Sequence, residues 1–71
     1  MTIEAIRNNI YDNMGNRIRV IHNEGRNKII RYEGRVVEVY NNIFIVLDDR
    51  GKRSFSYHDI LTKTVKISFK V

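Results

Sequence analysis

The chain of 71 residues has no cysteine, no proline and no tryptophan, and only four glycines. Without cysteine it can form neither a disulfide nor a thiolate metal site, which fits a reducing compartment. Without proline, every residue keeps its backbone donor, as strands that all join ladders require. Long apolar runs are also missing. The longest, Ile43-Phe44-Ile45-Val46-Leu47, is strand-sized, far short of the roughly 20 residues a membrane-spanning helix needs. The start Met1-Thr2-Ile3-Glu4 lacks the basic-then-apolar pattern of a signal peptide. The expectation is one soluble, cytoplasmic domain over residues 1–71, with no membrane partner. A chain this short buries only about 60% of the surface that its unfolded form exposes, so its stability margin is modest.

Negative charge is the remaining shortage. Eight Asp and Glu stand against thirteen Lys and Arg, a formal net charge of +5. Such an excess favours contact with nucleic acid or an acidic protein surface. A net charge of about 2–8 is also ordinary for a small domain.

Ile3, Ile6, Ile10 and Met14 follow steps of three, four and four. This stripe predicts an amphipathic helix over residues 2–13, with Thr2 as N-cap, Glu4 in the first turn and Gly15 ending it. The rest reads as strand: residues 17–22, a long and bent 28–40 interrupted by Gly34, then 43–47, 52–57 and 64–69. Asn23–Asn27, Asn41-Asn42 and Asp48-Asp49-Arg50-Gly51 supply the turns. Glycine inside a strand is where a bend or bulge is easiest. Between the last two strands, residues 58–61 suit a single 3₁₀ turn. Val65, Ile67 and Phe69 alternate with Lys66, Ser68 and Lys70, so the first set is predicted buried and the lysines exposed. The fold class is mainly β: an N-terminal α-helix, then a five-stranded, strongly bent antiparallel SH3-like or Sm-like barrel with a 3₁₀ turn before the last strand.

The segment Phe55-Ser56-Tyr57-His58-Asp59-Ile60-Leu61-Thr62-Lys63-Thr64-Val65 resembles the aromatic–Ser–Tyr–x–Asp–x–Leu–Thr signature of the Veg family, small proteins of Gram-positive, mostly spore-forming bacteria. Gly25-Arg26-Asn27-Lys28 resembles that family's Gly-Arg-x-Lys turn. Gly34, Tyr40, Phe44 and Val46 fall where the family places a glycine, a tyrosine and an alternating apolar strand. Asn41 stands where relatives often carry proline. The resemblance covers nearly the whole chain. It implies a small barrel without enzymatic activity, associated with regulation of gene expression and stimulation of biofilm formation. It implies no active-site residues.

Candidate contact residues come from charge and apolarity. Arg17 and Arg19 share the outer face of the first strand. Arg26, Lys28 and Arg31 follow in the next turn and strand, and Arg50, Lys52 and Arg53 surround the Asp48–Gly51 hairpin. Cations so grouped can neutralise phosphates, and exposed aromatics can stack on bases. Tyr32, among Arg31, Glu33 and Arg35, is the aromatic best placed for that, with plain packing as the alternative. Tyr57 is expected to fill one end of the barrel, its hydroxyl bonded to backbone. The run 43–47 is apolar on both faces, so one face must meet the helix, a partner or a second subunit. Helix-on-barrel packing is the economical reading. Phe44 and Val46 are the candidates for a protein partner or a homodimer contact.

Catalytic signals are weak. His22 and His58 stand apart from any nucleophile, and the two make a poor zinc site. Gly51-Lys52 lacks the flanking residues of a phosphate-binding loop. No cofactor or metal is implied. The expected function is non-enzymatic regulation by binding a protein, for example a transcriptional regulator, with direct nucleic-acid binding as the alternative.

Overall fold

The computed structural model of the chain describes residues 2–69. Helix α1 spans Ile3–Asp12. Thr2 caps it, its hydroxyl accepting from the Ala5 amide at 3.1 Å, and Glu4 lies in the first turn, where a carboxylate is favoured by the exposed amides. Ile6 and Ile10 are buried and Ile3 packs beside them. Met14, expected on the same stripe, is 42% exposed. The helix ends at Asp12 with Asn13 as C-cap, so Met14 no longer follows the helical period. Gly15 then takes φ +86°, and its amide donates to the Val36 carbonyl at 2.9 Å, which ties the exit from the helix to the sheet.

Five antiparallel strands follow: β1 (Arg17–Gly25), β2 (Lys28–Val39), β3 (Ile43–Asp48), β4 (Gly51–Ser56) and β5 (Val65–Phe69). Their hydrogen-bonded order is β4-β3-β2-β1-β5. No ladder joins β4 to β5 among the described residues, so the sheet is open, where the sequence led us to expect a closed barrel. The segment between those strands is also different. It forms a five-residue α-helix, α2 (Tyr57–Leu61), in place of a 3₁₀ turn. The Ser56 hydroxyl accepts from the Asp59 amide. The Thr62 amide reaches the His58 carbonyl four residues back, and only Lys63 makes the tighter bond to Ile60.

The long strand β2 bends at Gly34. A Cβ there would sit 2.2 Å from the Leu47 carbonyl oxygen and 2.9 Å from Val46 Cγ1. The close approach of β3 therefore excludes every other residue. A bulge between Val36 and Glu38 adds further curvature. The bend carries Tyr32 over to β4, where its ring centroid lies 5.6 Å from that of Phe55.

Alternation sorts each strand into two faces. Ile18, Val20, Val36, Phe44, Val46, Phe55 and Val65 point inward and form one core with Ile6, Ile10 and Tyr57. Phe44 lies 5.7 Å from both Phe55 and Tyr57, aromatic pairs worth about 0.5–1.5 kcal/mol each beyond their buried area. Tyr57 is 0% exposed, and its hydroxyl lies 2.6 Å from the Tyr40 carbonyl and 2.9 Å from that of Ile43. Its burial and its backbone bonds are as expected, in the core of an open sheet and not at the end of a closed barrel. In β5, Val65 is buried and Lys66 exposed, as expected, while Ile67 and Phe69 are only half-buried, because β5 is an edge strand. Lys70 lies outside the described residues.

Candidate functional site

The outward face of the sheet follows from the strand register. Directly opposed residues share a face, so Arg17, Arg35, Leu47 and Lys52 form one row across β1, β2, β3 and β4. At about 4.8 Å per strand the row spans about 14 Å. Beside it stand Ser68, Arg19 and Glu33, then Lys66, Ile21 and Arg31. On the other side stand Glu38, Ile45 and Ser54. This face thus carries six cations, Arg17, Arg19, Arg31, Arg35, Lys52 and Lys66, against two carboxylates, Glu33 and Glu38.

The carboxylates are engaged. Arg19 pairs with Glu33 at 2.9 Å and Lys52 with Glu38 at 3.4 Å. The Tyr40 hydroxyl also donates to Glu38 at 2.7 Å. That bond, and then Lys52, hold the Glu38 carboxyl below its usual range, and the same bond raises Tyr40. Arg17, Arg31, Arg35 and Lys66 have no carboxylate within 4.0 Å among the described residues. Arg17 and Arg35 oppose one another directly. Like charges so placed destabilise a sheet.

Apolar side chains are interleaved with these cations. Ile29 is 60% exposed and Leu47 44%, and Ile43 also reaches solvent. Helix α1 does not cover this side of β3: its buried residues join the inner core instead. Phe44 and Val46, the residues singled out for a partner, are 0% exposed. Buried in this way they cannot meet a partner directly, and the exposed apolar side chains of β3 are their neighbours Ile43 and Leu47. Phe44 and Val46 face inward because they oppose Val39, Val36 and Phe55 across the ladders.

The remaining candidates are dispersed. Arg26 and Lys28 occupy the tip of the β1–β2 hairpin, eight or more residues from Arg17 along β1, which is about 25 Å of strand. Lys28 lies 3.4 Å from Glu24. Arg53 points inward with Val46. Its guanidinium bonds Asp48 at 2.9 Å and covers the Tyr32 ring at 4.5 Å. Tyr32 is therefore half-buried between Arg53 and Phe55 and offers no free stacking platform. Arg50 closes the β3–β4 hairpin, its amide donating to Asp48 at 2.8 Å. That bond first, and Arg53 second, keep the Asp48 carboxyl low.

Sequence reasoning missed Arg35 and Lys66 as members of this face. Their signal is the alternation of β2 and β5, legible once Gly34 is recognised as a bend that preserves the pleat. His22 packs edge-on against Phe55 at 6.4 Å, and His58 is exposed on α2. Among the described residues, no group of three or more His, Cys, Asp or Glu is placed to hold a metal, and no helix is long and apolar enough to cross a membrane.

No curated protein matches the chain. The family described as biofilm formation stimulator VEG matches residues 1–68 of the 71, spanning α1 and all the strands apart from the last residue of β5. The residues that earlier suggested the resemblance also hold structural posts, Gly34 at the bend and Tyr57 in the core. The chain belongs to the Veg family of biofilm formation stimulators.

Proposed function

We propose that this chain is a non-enzymatic, cytoplasmic regulator of gene expression that acts by binding a protein partner through the outward face of its sheet. The observation that carries this reading is the directly opposed pair Arg17 and Arg35 beside exposed Leu47. Two opposed arginines with no carboxylate within 4.0 Å among the described residues cost the free sheet stability, and an acidic partner surface would offset that cost on binding. Aliphatic side chains among the cations suit a protein surface with its own apolar patches.

Single-stranded nucleic acid is the second reading, favoured by the six outward cations. It has less support because only one exposed aromatic borders this face, Tyr40, whose hydroxyl is tied to Glu38, while Tyr32 is covered by Arg53 and Tyr11 projects from the helix. The two readings separate in a fluorescence-anisotropy titration with labelled single- and double-stranded oligonucleotides at low and physiological salt. The protein-partner reading expects weak binding that vanishes at physiological salt, since a few phosphate contacts alone are strongly screened. Submicromolar binding at physiological salt overturns it in favour of nucleic acid.

A further inference from the structure

The sheet has a second feature that the outward face does not use. Strand β5 is an edge. The Asn23 amide donates to the Thr64 carbonyl at 2.8 Å, which sets the phase of the β1–β5 ladder. With Asn23 opposite Thr64, the hydrogen-bonded pairs are Ile21 with Lys66 and Arg19 with Ser68. The backbone groups of Val65, Ile67 and Phe69 therefore point away from β1. No described residue donates to or accepts from them.

Those groups open onto a groove between α1, α2 and β5. Ile6, Ile60, Leu61, Val65 and Ile67 line it, with Lys63 and Lys66 among its polar lining. Lys63 is held at φ +64°, a left-handed conformation that glycine adopts more readily. A cationic side chain thus stands where backbone conformation alone favours glycine.

We infer that the β5 edge takes an extended segment of a partner protein as a sixth strand, one that alternates apolar and acidic side chains. An added strand shares the pleat of β5. Its inward side chains then enter the apolar groove, and its outward ones stand in the row of Lys66. A second copy of this chain fits less well. Its free edges bring only Lys52, Ser54 and Ser56, or Lys66 and Ser68, to that row, so no carboxylate would meet Lys66. This inference goes beyond the outward-face reading and concerns a different surface, with Lys66 alone common to both.

The test uses a fluorescein-labelled octapeptide alternating valine and glutamate, its valine–lysine counterpart, and two analogues N-methylated on all valines or on all glutamates. The full chain should bind the valine–glutamate peptide at least tenfold more tightly than the valine–lysine peptide. One N-methyl series should abolish binding and the other preserve it: valine methylation for an antiparallel strand, glutamate methylation for a parallel one. In ¹⁵N-resolved spectra the amides of Val65 and Ile67 should shift and become protected from exchange. Lys63→Gly should weaken binding at least threefold while leaving the melting temperature equal or higher, which a merely structural role for Lys63 would not produce. Equal tolerance of both N-methyl series overturns the inference and leaves Lys66 as protection of an exposed edge. Loss of binding in Arg17→Glu/Arg35→Glu but not in Lys63→Gly assigns the peptide to the outward face and likewise overturns it.

Discussion

Gly34→Ala is the sharpest test of the bend that brings Arg35 beside Leu47. The added Cβ would meet the Leu47 carbonyl oxygen at 2.2 Å and its carbonyl carbon at 2.9 Å. Both atoms belong to the backbone of the partner strand, where no side-chain rotation can relieve the contact. Alanine elsewhere in a strand would gain about 0.4–1 kcal/mol by restricting the unfolded chain. Here overpacking should exceed that gain, for a net loss of about 1–3 kcal/mol or more. At roughly 0.05–0.15 kcal/mol per residue, a 71-residue chain has only about 4–11 kcal/mol in all. With a urea dependence near 1 kcal/mol per molar, the midpoint should fall by about 1–3 M. Urea unfolding followed by circular dichroism measures this directly. A midpoint unchanged or raised would show that β2 and β3 do not approach so closely at Gly34, and the row from Arg17 to Lys52 would lose its basis.

Three further outcomes follow from the packing and the hydrogen bonds. Ile10→Ala, at a fully buried helix position, should cost about 2–5 kcal/mol, whereas Met14→Ala should stay within about 0.5 kcal/mol; the same urea assay separates them. Tyr57→Phe leaves the Tyr40 carbonyl without its hydroxyl donor, while the Ile43 carbonyl keeps the Tyr40 amide, and should cost about 1–2 kcal/mol. Burial raises the Tyr57 hydroxyl above its ordinary value near 10, so its contribution is complete below that pH and is lost as pH rises through the folded value; a melting-temperature series above pH 10 should show a steeper fall for wild type than for Tyr57→Phe. Lys63→Gly relieves a left-handed lysine and should stabilise the fold by about 0.5–1 kcal/mol in thermal unfolding.

Much of the fold was legible in the sequence because most elements carry one clear period. Ile3, Ile6 and Ile10 mark the helix, and Gly34 marks the bend, for which no larger residue fits. Closure of the barrel was not legible, since it depends on whether β4 and β5 meet, and no local pattern reports that. The third strand misled us for a related reason. Ile43, Ile45 and Leu47 are as apolar as Phe44 and Val46, so hydropathy cannot say which set faces inward. The ladder partners decide it, and they bury Phe44 and Val46. The basic surface was legible as charge but not as arrangement. Arg26 and Arg17 are near in sequence, yet the hairpin holds them at opposite ends. Arg17 and Arg35 are far apart in sequence, yet register sets them face to face.

The central claim is that the outward face of the sheet engages a protein. Its most direct test is quantitative capture from nuclease-treated lysate, comparing the wild-type chain with Arg17→Glu/Arg35→Glu, each confirmed as folded by circular dichroism. The account predicts that nuclease treatment leaves a discrete set of captured proteins intact and that the double variant reduces their capture at least tenfold. Capture that disappears with the nucleic acid, or that is undiminished in the folded double variant, would contradict it.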